Sequence, residues 1–123
     1  MSETGGTRRF GADARLGSRR DFRRVFTDGK KSVGRRIILW SAAPAPAGTQ
    51  SARFGLSVPA KVGKAVLRNR LKRLMRECFR LNRTRLEPGD LVVYLRPGCR
   101  WAGLAEAQKD FLELARQAGV LKP

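Results

Sequence analysis

The stretch that decides the fold of this 123-residue chain runs from Lys61 to Arg85 and reads KVGKAVLRNRLKRLMRECFRLNRTR. Its apolar residues recur every three or four positions, the spacing that places side chains on one face of a helix. These residues are Leu67, Leu71, Leu74, Met75 and Cys78. The pattern predicts an α-helix from about Ala65 to Asn82 whose apolar face is buried in the core.

The opposite face of this helix is strongly basic, since the stretch holds ten basic residues and a single acid, Glu77. Like charges four residues apart repel by about 0.2–0.5 kcal/mol per pair, and the only compensating pair predicted at that spacing joins Arg73 to Glu77. Basic helices occur on membrane surfaces and as calmodulin targets as well as on nucleic acids. Asn69 favours nucleic acid, because an amide can hydrogen-bond base edges.

The charge of the chain is unevenly distributed. The formal net charge is +17, from 27 basic and 10 acidic residues. Residues 8–36 hold eleven basic and three acidic groups and residues 61–85 hold ten and one, whereas residues 86–123 hold five of each. This distribution indicates one electropositive surface and excludes most ordinary small-molecule enzymes. The excess of arginine over lysine favours bidentate contacts with phosphate.

The cysteines and the apolar runs indicate a soluble cytoplasmic protein. Cys78 falls on the apolar stripe and Cys99 in a Pro-Gly-Cys turn, and no CxxC or histidine suggests a metal site. The N-terminus lacks the apolar segment of a signal peptide, and no run approaches the roughly 20 apolar residues that span a bilayer. We therefore expect no disulfide, no membrane association and no metal held by the protein.

The remaining elements can be predicted in order along the chain. Residues 1–14 lack periodicity and are predicted to be a mobile basic tail ahead of a single RNA-binding α/β domain, residues 15–123. A first helix begins at Ser18 and ends near Gly29, with Phe22, Val25 and Phe26 on one face. Two aromatic residues at this spacing are more often core than a stacking surface.

Strands are predicted on both sides of the basic helix. The first two, Ser32–Ser41 and Arg53–Val58, are expected to form an antiparallel pair. After a turn at Glu87–Asp90, the run Leu91–Leu95 is typical of a buried strand that lies parallel to the strand before the helix. A last helix, Ala105–Gly119, covers the sheet. The fold class is α+β, an α/β sandwich with a small mixed sheet of about four strands.

The chain carries little catalytic chemistry of its own. It has no histidine, and its ten acids are scattered without the spacing of metal ligands. No glycine-rich phosphate loop is present, because Gly63-Lys64 is an isolated pair. General base, nucleophile and metal site all lack candidates, so we expect no catalytic residues and no nuclease activity from the protein alone.

Two stretches resemble a known family. Residues 61–77, KVGKAVLRNRLKRLMRE, are similar to the signature of the bacterial ribonuclease P protein subunit, with its Arg-Asn-Arg helix. Residues 15–26, RLGSRRDFRRVF, followed by Gly29, resemble the first helix of the same family. The chain departs from the pattern at Lys64, where the family usually has asparagine, and at Ala60, where a second lysine is common. Both departures concern the start of the basic helix.

The resemblance implies a function in a ribonucleoprotein enzyme. In that family the RNA subunit is the catalyst and uses bound magnesium to hydrolyse a phosphodiester, which removes the 5′ leader of precursor tRNA. The protein binds the catalytic RNA and the precursor. The resemblance also implies a left-handed strand-helix-strand connection, although right-handed connections are the general rule.

The resemblance also assigns roles to individual residues of this chain, according to their positions in the two matching stretches and the strand between them. The residues that the resemblance places in contact with RNA are Lys61, Arg68, Asn69, Arg70, Lys72, Arg73 and Arg76. Those that it places in a cleft for the single-stranded leader are Phe22, Phe26, Ile38 and Trp40. Aromatic residues beside a basic helix suit single-strand binding that tolerates many sequences.

Other functions are possible for so basic a chain. A non-catalytic RNA-binding module, such as a ribosomal protein, is the main alternative, and a nucleoid-type DNA-binding protein is another. A cleft lined by aromatic residues disfavours duplex DNA, which is read through base edges and the backbone. A membrane or calmodulin helix needs a free apolar face, which the core is expected to use here.

Overall fold

The computed structural model of the protein describes residues 15–45 and 47–123. The predicted tail, residues 1–14, lies outside the described residues. The elements are α1 (Arg19–Asp28), β1 (Lys30–Val33), β2 (Ile37–Ala42), β3 (Ala52–Ser57), α2 (Ala65–Asn82), β4 (Gly89–Leu95) and α3 (Leu104–Gln117). Short 3₁₀ turns, Ala60–Val62 and Arg83–Arg85, precede and follow α2.

The helices confirm the predicted spacing. Helix α2 has the predicted bounds, and its buried residues are Leu71, Met75, Cys78, Phe79 and Asn82. Helix α1 begins where the side chain of Ser18 accepts a hydrogen bond of 3.0 Å from the backbone N–H of Asp21. It ends at Gly29, whose backbone is extended and whose N–H donates to the carbonyl of Val25 at 2.8 Å. The site requires glycine, because a Cβ there would lie only 2.4 Å from that carbonyl oxygen.

The four strands form one mixed sheet in the order β1-β2-β4-β3. Strand β2 is antiparallel to both β1 and β4, and β3 is parallel to β4. The predicted parallel pair joined by the basic helix is therefore confirmed, as is the α+β fold class, while the handedness of the connection stays a prediction.

Two details of strand pairing differ from the predictions. The predicted strand Ser32–Ser41 is a hairpin of β1 and β2, closed where the N–H of Gly34 donates to the carbonyl of Ile37 at 2.8 Å. The predicted antiparallel pairing of β2 with β3 was wrong, because β4 lies between them. The connection between β2 and β3 is long enough to cross the roughly 10 Å of two strand spacings.

The predicted turn at Glu87–Asp90 was also wrong in part, since Gly89 and Asp90 begin β4. The side chain of Asp90 is only 1% exposed, and the register places it beside Arg53 of β3. Arg53 donates to both carboxylate oxygens through Nε and Nη2, each at 2.9 Å, and Arg24 of α1 donates to Oδ2. This hydrogen bonding raises the pKa of Arg53. Asp90 therefore links α1, β3 and β4.

The two faces of the sheet are covered unequally. One face packs against α2 and α3 in the main core, where the rings of Phe54 and Phe79 stack with centroids 4.6 Å apart. The other face contacts only α1 among the described helices, through a small cluster of Leu16, Val25 and Val92. Half-buried side chains extend beyond this cluster, so this second face is available to a ligand.

Candidate nucleic-acid interface

The N-cap residue of α2 makes no capping hydrogen bond, and a side chain from the first turn contacts the backbone before the helix instead. Lys64 occupies the N-cap position and makes no capping hydrogen bond with its side chain. Arg68 instead donates through Nε to the carbonyl of Gly63 at 3.0 Å. Gly63 is a position of close approach, as predicted, because a Cβ there would lie 2.6 Å from Cδ2 of Leu67.

The structure places the predicted RNA-contacting residues on or just before α2. Asn69, Lys72, Arg73 and Arg76 lie within an arc of about 100° around the helix, and we refer to these four residues as the basic face. Lys72 is half-buried, and the other three are exposed. Lys61 is exposed on the 3₁₀ turn that precedes the helix.

Arg70 lies outside the arc of the basic face, about 60° beyond Arg73 and about 160° from Lys72 around the helix. Its guanidinium donates to the backbone carbonyls of Trp101 at 2.7 Å and of Ala102 at 2.8 Å. Arg70 therefore ties α2 to the segment that leads into α3. The two arginines of the Arg-Asn-Arg sequence thus both make intramolecular hydrogen bonds.

The single acid of the helix pairs differently from the prediction. Glu77 accepts a hydrogen bond of 3.0 Å from Nε of Arg80 rather than pairing with Arg73. This bond lowers the pKa of Glu77 and raises that of Arg80. Because Glu77 is paired with Arg80, Arg73 forms no ion pair within the described part of the chain.

The predicted cleft residues converge on the second face of the sheet. The ring of Phe26 meets that of Trp40 edge to face, with centroids 4.8 Å apart and planes at 84°. Phe22 lies next to Phe26, with ring centroids at 6.3 Å. Ile38 projects from β2 on the same side of the sheet as Trp40, two residues away. Phe26 is 39% exposed, so this arrangement is not a closed core.

Two further residues belong to this surface that the sequence analysis did not identify. Tyr94 of β4 pairs in register with Ile38 and meets the ring of Trp40 edge to face at 6.4 Å. Lys31 of β1 pairs with Trp40 and holds its ammonium group 5.5 Å from the ring centroid. We refer to Phe22, Phe26, Ile38, Trp40 and Tyr94 as the aromatic surface.

The signal for Tyr94 was present in the run LVVYL, but that run was read as a strand buried on both faces. Alternation places Val92 and Tyr94 on one face of β4. Only the pairing of β4 with β2 shows that this is the face of Trp40. Lys31 could be recognised only after β1 was separated from β2.

A cleft of about 290 Å³ joins the aromatic surface to the basic face. Phe22 and Arg76 line it together, with Arg15 at the start of the described chain. Gly55 forms part of its wall, because a Cβ there would lie 2.7 Å from the ring of Phe22. Arg76 of the basic face thus lies in the same cleft as Phe22 of the aromatic surface, whereas Lys72 does not line this cleft. The two predicted surfaces are continuous.

The thiols and carboxylates lie elsewhere. Both cysteines are free and buried, and burial raises the pKa of Cys78 to about 12 and that of Cys99 to about 11. Among the described residues, no group of three or more cysteine, aspartate or glutamate side chains is placed to hold a metal ion. No helix in the described ranges has the length and apolar character needed to cross a membrane.

Comparison with known proteins identifies the family. The family model for ribonuclease P matches residues 10–119. The ribonuclease P protein component of Dictyoglomus turgidum is 34% identical over 117 residues, which cover 92% of this chain and 95% of the relative. That of Geobacillus thermodenitrificans is 35% identical over 109 residues, 88% of each chain.

Solved structures agree with these sequence relationships. The ribonuclease P protein of Staphylococcus aureus superposes with a TM-score of 0.79 at 26% identity, covering 89% of this chain and 98% of that protein. That of Thermotoga maritima gives a TM-score of 0.74 at 30% identity, covering 84% and 96%. These matches give no support to the alternative that the chain is a ribosomal protein. From its residues, its fold and these relatives, the chain belongs to the ribonuclease P protein family.

Proposed function

We propose that the protein is the RNA-binding subunit of a ribonuclease P holoenzyme, in which it binds the catalytic RNA through the basic face and the 5′ leader of precursor tRNA through the aromatic surface. The observation that carries this proposal is the continuity of the two surfaces at Arg76 and Phe22. A substrate strand on the aromatic surface would lie next to an RNA bound along α2.

The polar groups of the protein support a binding role rather than a catalytic one. The buried carboxylate of Asp90 is saturated by Arg24 and Arg53, and Glu77 is engaged by Arg80. A general base needs a free carboxylate or imidazole near the reacting atoms, and the chain has no histidine. Magnesium bound to the RNA subunit would supply the hydrolytic chemistry. The protein would position the RNA chains and reduce their repulsion.

The basic face suits the phosphate backbone of folded RNA. Arg73 and Arg76 are exposed and form no ion pair within the described residues, so both guanidinium groups can donate to phosphate oxygens. Asn69 lies between them around the helix and adds an amide that can reach a base or a sugar. Each phosphate contact releases counterions, which makes the affinity depend steeply on salt.

The aromatic surface suits a single strand. Phe26 and Trp40 meet edge to face, which leaves part of the Phe26 ring in solvent where an unpaired base can contact it. Stacking on aromatic rings tolerates many sequences because every base has a π-face. Lys31, above Trp40, adds a cation for the leader phosphates at the β1 edge.

We expect Arg73→Gln to weaken binding to the catalytic RNA. The slope of log K against log salt should decrease in magnitude by about 0.7–0.9, the change expected for the loss of one phosphate contact. The melting temperature should be unchanged, because Arg73 is exposed and makes no ion pair in the described ranges. The measurement is an RNA-binding titration over a salt series, with Lys122→Gln as the control that removes one exposed charge elsewhere.

Arg70→Gln provides the contrasting case. It removes two hydrogen bonds to the backbone carbonyls of Trp101 and Ala102, so it should lower the melting temperature. If Arg73→Gln binds RNA with the wild-type affinity and salt slope, the basic face is not the RNA contact and the proposal is wrong.

A further inference from the structure

A second basic surface lies at the edge of the sheet opposite to the aromatic cleft lined by Arg76. The turn between β1 and β2 and the outer side of α3 enclose a groove of about 570 Å³. Its charged lining residues are Arg35, Arg36, Lys109, Asp110, Glu113 and Arg116. Strands β1 and β3 are the two outer strands of the sheet, so roughly 14 Å of sheet, three strand spacings, lies between this groove and the cleft lined by Arg76.

Three of the four basic groups in this groove are unpaired. Arg36 is bound to Asp110, with 3.1 Å between Nη1 and Oδ2. Within the residues that the structure describes, Arg35, Lys109 and Arg116 form no ion pair and are exposed. Glu113 is the only other acid in the lining, so the groove keeps a net positive charge.

The turn that carries the arginines is held in place from several sides. Arg96 donates through Nη1 to the carbonyl of Gly34 at 2.8 Å, and its backbone N–H donates to the carbonyl of Arg36 at 3.0 Å. A Cβ at Gly34 would lie 3.1 Å from Cδ1 of Leu114, so the turn packs tightly on α3. The backbone that carries Arg35 and Arg36 is therefore held rigidly, which lowers the entropic cost of binding at these two residues.

The orientation of Arg36 is fixed as well. Asp110, which holds it, also accepts a hydrogen bond of 2.7 Å from the indole N–H of Trp101. The carboxylate contacts only Nη1 of the Arg36 guanidinium. The remaining N–H groups of this guanidinium stay available to an acceptor in the groove.

The composition of the groove indicates the kind of partner. Among the described residues that line it, none is aromatic; of its apolar residues, Ile37 and Leu114 are buried and Val33 is exposed at the β1 edge. It therefore offers cations for phosphates but no surface on which unpaired bases could stack. This lining suits a base-paired stem, whose bases are stacked inside the helix and whose backbone is exposed.

The position of the groove indicates which RNA would reach it. Helices α2 and α3 pack side by side on the core face of the sheet, whereas the aromatic surface lies on the other face. An RNA bound along α2 can continue past α3 into the groove. A leader on the aromatic surface lies on the other face of the sheet and would reach the groove only around the β1 edge, where Val33 pairs with Ile38. We propose that the groove between the β1–β2 turn and α3 binds the backbone of a base-paired stem of the catalytic RNA. This inference rests on the proposed function.

The test is a salt series of catalytic-RNA binding with the triple variant Arg35→Gln/Lys109→Gln/Arg116→Gln. We expect the affinity to fall at least about tenfold at moderate salt and the log–log salt slope to decrease by about 2–3. Arg36 is left intact because it pairs with Asp110, so the melting temperature should not change. The matched single variants are Lys109→Gln in the groove and Lys122→Gln outside it, and only the first should reduce the slope.

The outcomes separate this inference from the proposed function. If the wild type binds the catalytic RNA and the triple variant binds it equally well, the groove is not an RNA site and the inference is wrong. If the wild type itself does not bind that RNA, the proposed function is wrong, and the inference that rests on it is wrong as well. A triple variant that assembles normally but loses affinity for precursor tRNA would overturn the inference in favour of a substrate contact. Binding of an acidic peptide to the groove with unchanged RNA affinity would overturn it in favour of a protein partner.

Discussion

Replacement of Asp90 by alanine is expected to lower the free energy of unfolding by about 3 kcal/mol, because it leaves two arginines beside a buried site without their counter-charge. This value is at the lower end for buried pairs, since the side chains of Arg24 and Arg53 remain 26% and 20% exposed. The change should also loosen α1, which Arg24 ties to β4 through this carboxylate. Denaturant unfolding of the purified variant measures the effect.

The control for Asp90 is Glu113→Ala, which removes one exposed acid from α3. Glu113 forms no ion pair among the described residues, so its replacement should change stability by no more than about 0.5 kcal/mol. Equal stability of the two variants would show that the Asp90 cluster does not hold the elements together.

The second large effect is expected at the aromatic surface, where Phe26→Ala should weaken binding of precursor tRNA to the holoenzyme by about 1–3 kcal/mol. Mature tRNA lacks the leader and should bind as before. Phe26 suits this test better than Trp40, because Phe26 is 39% exposed whereas Trp40 packs against Phe26, Tyr94 and Lys31. The affinities of precursor and mature tRNA are measured for the same assembled enzyme.

A matched control is Leu81→Ala on α2, since Leu81 is 46% exposed and lies outside the aromatic surface. It should alter neither tRNA affinity. Phe26→Leu, which keeps an apolar side chain but removes the ring, should retain stability and lose most of the leader effect. Equal weakening for precursor and mature tRNA, or a large fall in melting temperature, would contradict leader binding by this residue.

Local sequence signals predicted the helices well. The predicted bounds of α2, about Ala65 to Asn82, agree with the structure because a single apolar stripe with a 3.6-residue period runs from Leu67 to Cys78. The bounds of α1 followed from Ser18, whose side chain makes the expected cap, and from the glycine at position 29, where the backbone leaves the helix. Each of these signals lies within a few residues of the element that it specifies.

Pairing of the strands could not be predicted in the same way. Strand β4 inserts between β2 and β3 although about 50 residues separate it from β2 along the chain, and no local pattern encodes that choice. The wrong pairing concealed Tyr94, which shares a face with Trp40 only when β4 is beside β2. The buried charge cluster was missed for another reason: Asp90 was assigned to the turn before β4, although Arg53 lies on the strand that was predicted to be parallel to β4.

The candidate site shows the same contrast between features that sequence patterns predict and contacts that depend on the tertiary structure. The convergence of Phe22, Phe26 and Trp40 was expected from the family resemblance, and the spacing within α1 and within β2 agrees with it. The intramolecular bonds of Arg68 and Arg70 were not predicted, because their acceptors are backbone carbonyls that no residue type reveals. Motif residues that seemed equivalent in sequence therefore have different surroundings.

Cleavage of precursor tRNA by the protein with and without the catalytic RNA tests the central claim most directly. The chain has no histidine, and among the described residues no group of acids is placed to hold a metal ion, so the protein on its own should not cleave at any magnesium concentration. The assembled holoenzyme should release the 5′ leader at magnesium concentrations where the RNA alone is slow. Cleavage at the mature 5′ end by protein free of RNA, or no stimulation of the catalytic RNA by the protein, would contradict the account.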